Sequence, residues 1–237
     1  MSPFTVFEMK YLALLLVAVS SVYATDNCYN NVNADCSVSS TSVVLPSCNS
    51  IFGGYGHHGN LATELQAYAN LHIARSFEYL QSSAYFNGYQ TNRVGFSKLF
   101  KKLSDDTWNK GIDIIKHITT RGGVMDFTRR STQEPTANSN FTSELHELHS
   151  LARALDTQKE IAERAFHIHR EAVRNTATLH DAEIAQYIEE DFVEYQTKTI
   201  RQLAGYTSDL KKFITQDKGG DLSLSMYLFD EYLQKSL

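Results

Sequence analysis

The sequence predicts an all-α fold: a four-helix bundle with one long crossover and a short fifth helix, preceded by a cysteine-bearing N-terminal extension. Two observations carry this. Four long amphipathic stretches each present a single apolar stripe, which is buried when the stripes share one core. The connection between the second and third runs to about 20 residues, too long for a tight antiparallel turn and long enough to travel the length of a bundle. A third observation sets the extension apart: Cys28, Cys36 and Cys48 all precede the first stripe.

The first stretch covers residues 61–87, with Leu65, Ala69, His72, Ile73, Ser76, Leu80 and Ser83 at three- and four-residue spacing. The second covers residues 91–120, striped by Phe96, Leu99, Phe100, Leu103, Ile114 and Ile118, and stops at Arg121-Gly122-Gly123, a cation followed by C-cap glycines. A polar loop containing Pro135 leads to the third, residues 141–175, with Leu148, Leu151, Leu155, Gln158, Ala162 and Phe166. The fourth, residues 181–215, uses Ile188, Phe192, Gln196, Leu203 and Tyr206. Gly219-Gly220 interrupts the pattern, and residues 222–233 make the last short helix.

The bulk properties agree. With 237 residues, 42% of them hydrophobic, and only three prolines, the chain can bury a sizeable core, which excludes disordered and fibrous classes. A net charge of −5 with interspersed signs and no concentrated basic surface excludes a nucleic-acid partner.

Residues 1–24 read as a signal peptide. Lys10 supplies the positive charge, YLALLLVAV (residues 11–19) the apolar run and Val22-Tyr23-Ala24 a small-residue cleavage pattern, with Met1 or Met9 as the start. Cleavage removes Glu8 and Lys10, one charge of each sign, and leaves the balance unchanged. The apolar run is too short to span a bilayer. Residues 25–60, rich in Asn, Ser, Thr, Val and Gly, form the extension, and residues 61–237 the bundle. In a secretory compartment the three cysteines favour disulfides, and their odd number leaves one thiol for a bond to another chain or for a free or capped state. Asn140-Phe141-Thr142 is a glycosylation sequon.

Each stripe carries a polar residue near its middle: His72, then Thr107 and Lys110, then Gln158, then Gln196. A bundle that binds metal through carboxylates projects its ligands from such positions. Here the set holds one imidazole, two amides, a hydroxyl and a cation, whereas a hard iron ion wants anionic oxygen and imidazole. The set therefore predicts a satisfied interior cluster, with the amides and hydroxyl hydrogen-bonded around the Lys110 ammonium. The competing reading is an unusual metal centre of His72 and Asp106, which requires Lys110 to turn away. His146 and His149 share a helical face, but two ligands do not close a zinc site. His167 and His169 project in different directions.

Several blocks together resemble the ferritin family: YLQSSAYFNGYQTNRVGFSKLF (residues 79–100), the RGG at 121–123, QYIEEDFVEYQTKTIRQL (residues 186–203) and MYLFDEYL (residues 226–233). With a signal peptide and a cysteine-bearing leader, the resemblance is nearest to the secreted light-type chains of insect ferritin. It covers residues 60–233 and implies a ferritin-like bundle assembled into a 24-subunit shell that stores iron as ferric mineral. Laid on the family pattern, the ferroxidase ligand positions fall on His72, Thr107, Lys110, Gln158 and Gln196, of which only Gln196 keeps the family's residue. That implies no dedicated ferroxidase centre and no self-sufficient enzyme. It further implies a heavy-type partner subunit, linked by a disulfide, that oxidises Fe(II). The family's mineral-nucleating face falls on Lys102, Asp105, Asp106, Asn109 and Asp113, so Asp105, Asp106 and Asp113 are the candidate iron-binding carboxylates. The threefold-channel positions fall on Gln186 and Glu189. Secretion into the lumen of the pathway or extracellular fluid follows from the leader. Two readings compete: a ferroxidase rearranged around His72 and Asp106, and a secreted signalling bundle, which needs two long crossovers where this sequence has one.

Overall fold

The computed structural model describes residues 48–52, 55, 59–127, 146–174, 180–216 and 222–236. The predicted signal peptide, Cys28, Cys36 and Asn140 lie outside the described residues. By contacts the chain divides into two units, Met1–Ser50 and Ile51–Leu237. Of the first, Cys48 is described and is disulfide-bonded. All regular structure described belongs to the second unit.

Helices α1 (Gly59–Phe86), α2 (Val94–Thr120) and α3 (Glu147–Val173) are followed by a fourth rod in three parts. These are α4 (Ala182–Ile188), a π-helical turn (Glu189–Val193) and α5 (Glu194–Gln216). Helix α6 (Leu222–Ser236) closes the order. No helix among the described residues is long and apolar enough to cross a membrane.

Side-chain contacts fix the directions of the rods. Ser83 meets Ser97 and Ser76 meets Ser104, so α1 and α2 are antiparallel. Tyr79 reaches Ala154, Arg75 reaches Glu160 and Glu64 reaches Arg164, so α3 also runs against α1. Asp106 meets Tyr195 and Lys110 meets Asp191, so the fourth rod runs against α2. Helices α2 and α3 are therefore parallel, the arrangement that a bundle with one long crossover requires.

Some boundaries differ from the sequence reading. Helix α2 starts at Val94 rather than at residue 91, because Asn92 adopts φ 47° and the backbone N–H groups of Asn92 and Arg93 bond to Gly88 and Phe86 carbonyls in a tight turn. Helix α3 is described from Glu147; residues 141–145 lie outside. At the end of α2, Gly122 takes φ 80°, and the N–H groups of Gly122 and Gly123 satisfy the Thr119 and Ile118 carbonyls. In the π-helical turn the Glu194 N–H bonds to Glu189 O, an i→i+5 step that inserts one extra residue into the rod.

The core consists of two apolar clusters. One holds Leu61, Leu65, Tyr68, Ile114, Ile118, Ile161, Ile168 and Ile184, with Phe192 against them. The other holds Phe86, Phe96, Phe100, Leu151, Leu203, Leu210, Phe229 and Leu233. Two residues assigned to stripes stand on the surface instead: Leu80 and Phe166 are exposed. Each lies at the edge of its face, where spacing alone does not separate core from rim. Helix α6 docks on α2 at Gly95, where an added Cβ would stand 2.1 Å from the Asp230 carbonyl oxygen. The buried Asp230 carboxylate accepts the Phe96 N–H, filling one of the unpaired donors at the start of α2.

Candidate functional site

Between the two clusters runs a buried polar belt. It is formed by His72 and Ser76 of α1, Ser104 and Thr107 of α2, Thr157 and Gln158 of α3, and Gln196 and Thr199 of α5. Four of the five residues that the sequence resemblance marks out, His72, Thr107, Gln158 and Gln196, are buried in it, and Lys110 stands at its edge with 22% of its side chain exposed.

His72 is 1% exposed. Its Nδ1–H donates to the Tyr68 carbonyl at 3.0 Å, which leaves Nε2 as an acceptor. Tyr68 and Phe192 set their rings edge-on to it at 4.4 and 5.6 Å. Burial lowers its pKa to about 4, the hydrogen bond to Tyr68 opposing and the Lys110 charge assisting, so the imidazole is neutral at ordinary pH. Gln158 donates to Tyr79 Oη at 3.0 Å, and Tyr79 donates onward to the Ala154 carbonyl. Gln196 is 2% exposed.

Lys110 does not gather these groups around itself, and here the expected cluster is corrected. Its Nζ lies 3.5 Å from Asp191, 5.2 Å from the Phe192 ring centroid and 5.6 Å from that of Tyr195. The flexible stem carries the ammonium out to a half-exposed carboxylate and two aromatic faces, because a cation left among neutral amides would forfeit hydration for weaker partners. The extra residue of the π-helical turn sits beside this site, with Phe192 turned inward and Asp191 outward.

The arrangement is a poor metal binder. Its donors are one imidazole nitrogen, two amide oxygens and a hydroxyl, without a carboxylate. Asp106, the acid that a rearranged centre needs, accepts a 3.0 Å hydrogen bond from Tyr195. Among the described residues no group of three or more His, Cys, Asp and Glu is placed to hold a metal ion.

The remaining candidate acids lie on the exposed side of the same helices. Asp105 pairs with Lys101, and Asp113 lies 3.7 Å from Lys116. Lys102 and Asn109 are exposed. The three aspartates are thus not one cluster: Asp105 and Asp113 face solvent beside lysines, and Asp106 turns toward α5. Of the two residues that the resemblance assigns to a channel, Gln186 donates to Glu190 at 3.0 Å and Glu189 lies 3.7 Å from His169, both on the exposed surface. His167 instead approaches Glu64 of α1 at 3.9 Å, so the two histidines do serve different faces. The rings of His146 and His149 are 6.0 Å apart at the start of α3.

A family model described as the ferritin-like domain matches residues 62–213. The chain belongs to the ferritin family. This ferritin chain is 62% identical over 232 residues to the ferritin light chain of Trichoplusia ni, covering 97% of this chain and all of that one. It is 43% identical over 227 residues to the ferritin light chain of Drosophila melanogaster, covering 94% and 97% of the two chains. Against the ferritin heavy chain of Trichoplusia ni the identity is 25% over 178 residues, covering 74% and 80%. The crystal structure of Trichoplusia ni secreted ferritin matches with a TM-score of 0.82 at 64% identity, covering 90% of this chain and all of that one. Within one insect, then, this ferritin chain stands far nearer to the light than to the heavy chain.

Sequence reasoning read Arg121 of this ferritin chain only as a helix stop. In the structure it is a buried hub, 3% exposed. Its guanidinium donates to both Asp181 oxygens, at 2.8 and 3.3 Å, to Glu183 and to the Phe52 carbonyl at 2.9 Å. Asp181 in turn caps α4 through the Ile184 N–H and accepts the Tyr55 N–H at 3.1 Å. Burial pushes the Asp181 carboxyl up, but the bonds from Arg121 and the two backbone N–H groups outweigh it and hold the pKa below its ordinary value. Beside the hub, His117 stacks on Tyr187 with centroids 3.9 Å apart and lies 3.4 Å from Glu183. The sequence signal was available in the pairing of a helix-ending arginine with the Asp181 N-cap, 60 residues on, but nothing local joins them.

Proposed function

We propose that this chain is a non-catalytic light-type subunit of a secreted iron-storage shell. It contributes to assembly and to ferric mineral nucleation while a heavy-type partner oxidises Fe(II). The observation that carries the reading is the belt: the positions where the family pattern places iron ligands hold a neutral histidine, two amides and a threonine, and a lysine anchored to Asp191 at 3.5 Å keeps a positive charge beside them. The light-chain names of the relatives at 62% and 43% identity support it. Nucleation falls to Asp105 and Asp113, whose exposed carboxylates are free to exchange a lysine partner for hydrated ferric ions, with Asp106 a lesser ligand because Tyr195 holds it. Gln186 in place of an acid weakens cation steering at the channel, so iron enters and is oxidised through the partner. The predicted signal peptide and leader cysteines support secretion and a covalent link between chain types.

The test is expression alone and together with a heavy-type chain, followed by sizing under non-reducing conditions and by the rate of Fe(II) oxidation under dioxygen. The mixture is expected to form a large shell and to oxidise iron rapidly, and this chain alone to be slow. Rapid turnover by this chain alone overturns the reading.

A further inference from the structure

The Arg121 hub does more than join α2 to α4. Two of its partners lie upstream of the bundle: the Phe52 carbonyl accepts from Arg121 Nη2, and the Tyr55 N–H donates to Asp181. The same guanidinium lies 4.1 Å from the Phe52 ring centroid and 5.5 Å from that of Tyr55. Tyr55 is itself buried, and its hydroxyl fills the space over Gly123, where an added Cβ would stand 2.0 Å from it. One ion pair between α2 and α4 thus grips a short upstream segment through two backbone hydrogen bonds, two cation–π contacts and a glycine-lined seat.

We propose that Arg121 and Asp181 form a latch that holds Phe52 and Tyr55, and that the latch sets which neighbouring chain the leader cysteines can reach. Phe52 lies four residue steps beyond Cys48, and a fully extended chain spans at most about 3.5 Å per step, so Cys48 is tethered within about 14 Å of the latched Phe52. Cys48 is disulfide-bonded, so it tethers the cysteine to which it is joined as well. Released from the latch, the leader is held only where α1 begins, and the cysteines sweep a volume that dilutes any one neighbour. The partner is a second chain in the shell, so the disulfide half of the proposal rests on the shell reading above, whereas the latch itself does not.

The test uses the full secreted chain and two variants. Phe52→Ala combined with Tyr55→Ala removes the gripped segment and leaves the Arg121–Asp181 pair in place; Arg121→Lys keeps the charge and loses the forked donor. Limited proteolysis of the isolated chain is expected to cut between residues 49 and 58 at least tenfold faster in both variants, with helical circular dichroism retained in the double alanine variant. On co-expression with a heavy-type chain, the fraction of disulfide-linked light–heavy pairs on a non-reducing gel is expected to fall at least twofold in the double alanine variant. Unchanged cleavage in that variant overturns the latch, and faster cleavage with undiminished linked pairs overturns its control of pairing. Absence of a shell in the unsubstituted pair on sizing indicts the shell reading instead, since the proteolysis arm is read without assembly.

Discussion

The polar belt and the Arg121 hub are both buried and both polar, yet they solve opposite problems. In the belt the interior groups are neutral and the one cation is led out to Asp191 and two aromatic rings. In the hub a guanidinium and a carboxylate stay inside, and their partners include the backbone groups of Phe52, Tyr55 and Ile184. Charge is tolerated in this core where an opposite charge and several hydrogen bonds meet it, and is led outward where only amides are at hand. The belt keeps its interior neutral, and the hub ties helix ends together.

The comparison breaks first at Arg121. Arg121→Ala strands the buried Asp181 carboxylate, so denaturant unfolding is expected to show a loss of about 3–5 kcal/mol. A loss no larger than that of a surface arginine would mean that the hub is solvated. Asp181 also fixes an acid limit: its folded pKa lies below its unfolded value, so its contribution is complete above the unfolded pKa of 3.8 and disappears as pH falls through the folded value.

The belt has its own pH signature, in a higher window. His72 titrates at about 4 when folded against 6.5 when unfolded, so the unfolded state takes up the proton first. Stability from this group is complete above 6.5 and declines as pH falls toward about 4, by about 3 kcal/mol in all. His72→Gln is expected to flatten that part of the stability profile and leave the lower window, governed by Asp181, in place. An unchanged slope would place the titrating group elsewhere.

A smaller effect is expected at Lys110. Because its partner Asp191 is half-exposed, Lys110→Met should cost about 1 kcal/mol or less in thermal or chemical unfolding. If it costs as much as Arg121→Ala, the contrast between the two regions fails. The least effect, with the opposite sign, calibrates both. Gly205 in α5 has open space around its Cβ position, so Gly205→Ala should raise stability by about 0.5–1 kcal/mol through helix propensity alone.

Much of the architecture was legible because its causes are periodic. Leu65, Phe96, Leu151 and Leu203 recur at helical spacing and are buried, and the long second loop demanded parallel α2 and α3. Edges were less legible: Leu80 and Phe166 sit one position off the buried arc, and the turn at Asn92 shortens α2 because a left-handed residue ends what looked like a continuing pattern. At the candidate site, the identity of the five belt residues was readable and their geometry was not. A flexible lysine chooses among partners on another helix, and the register that offers it Asp191 comes from a π-helical turn with no sequence period of its own.

By itself the sequence determined which residue types fill the four stripes, that no carboxylate stands among them, and that the second connection must cross the bundle. These follow from local chemistry and chain length, which any fold of this pattern must obey. Only the tertiary structure decided that Lys110 leaves the belt, that Asp106 answers to Tyr195, and that Arg121 grips Asp181 and Phe52 at once. Each of these pairs residues 60 or more positions apart. Desolvation decides between their possible partners, and it acts only once the helices have closed around them.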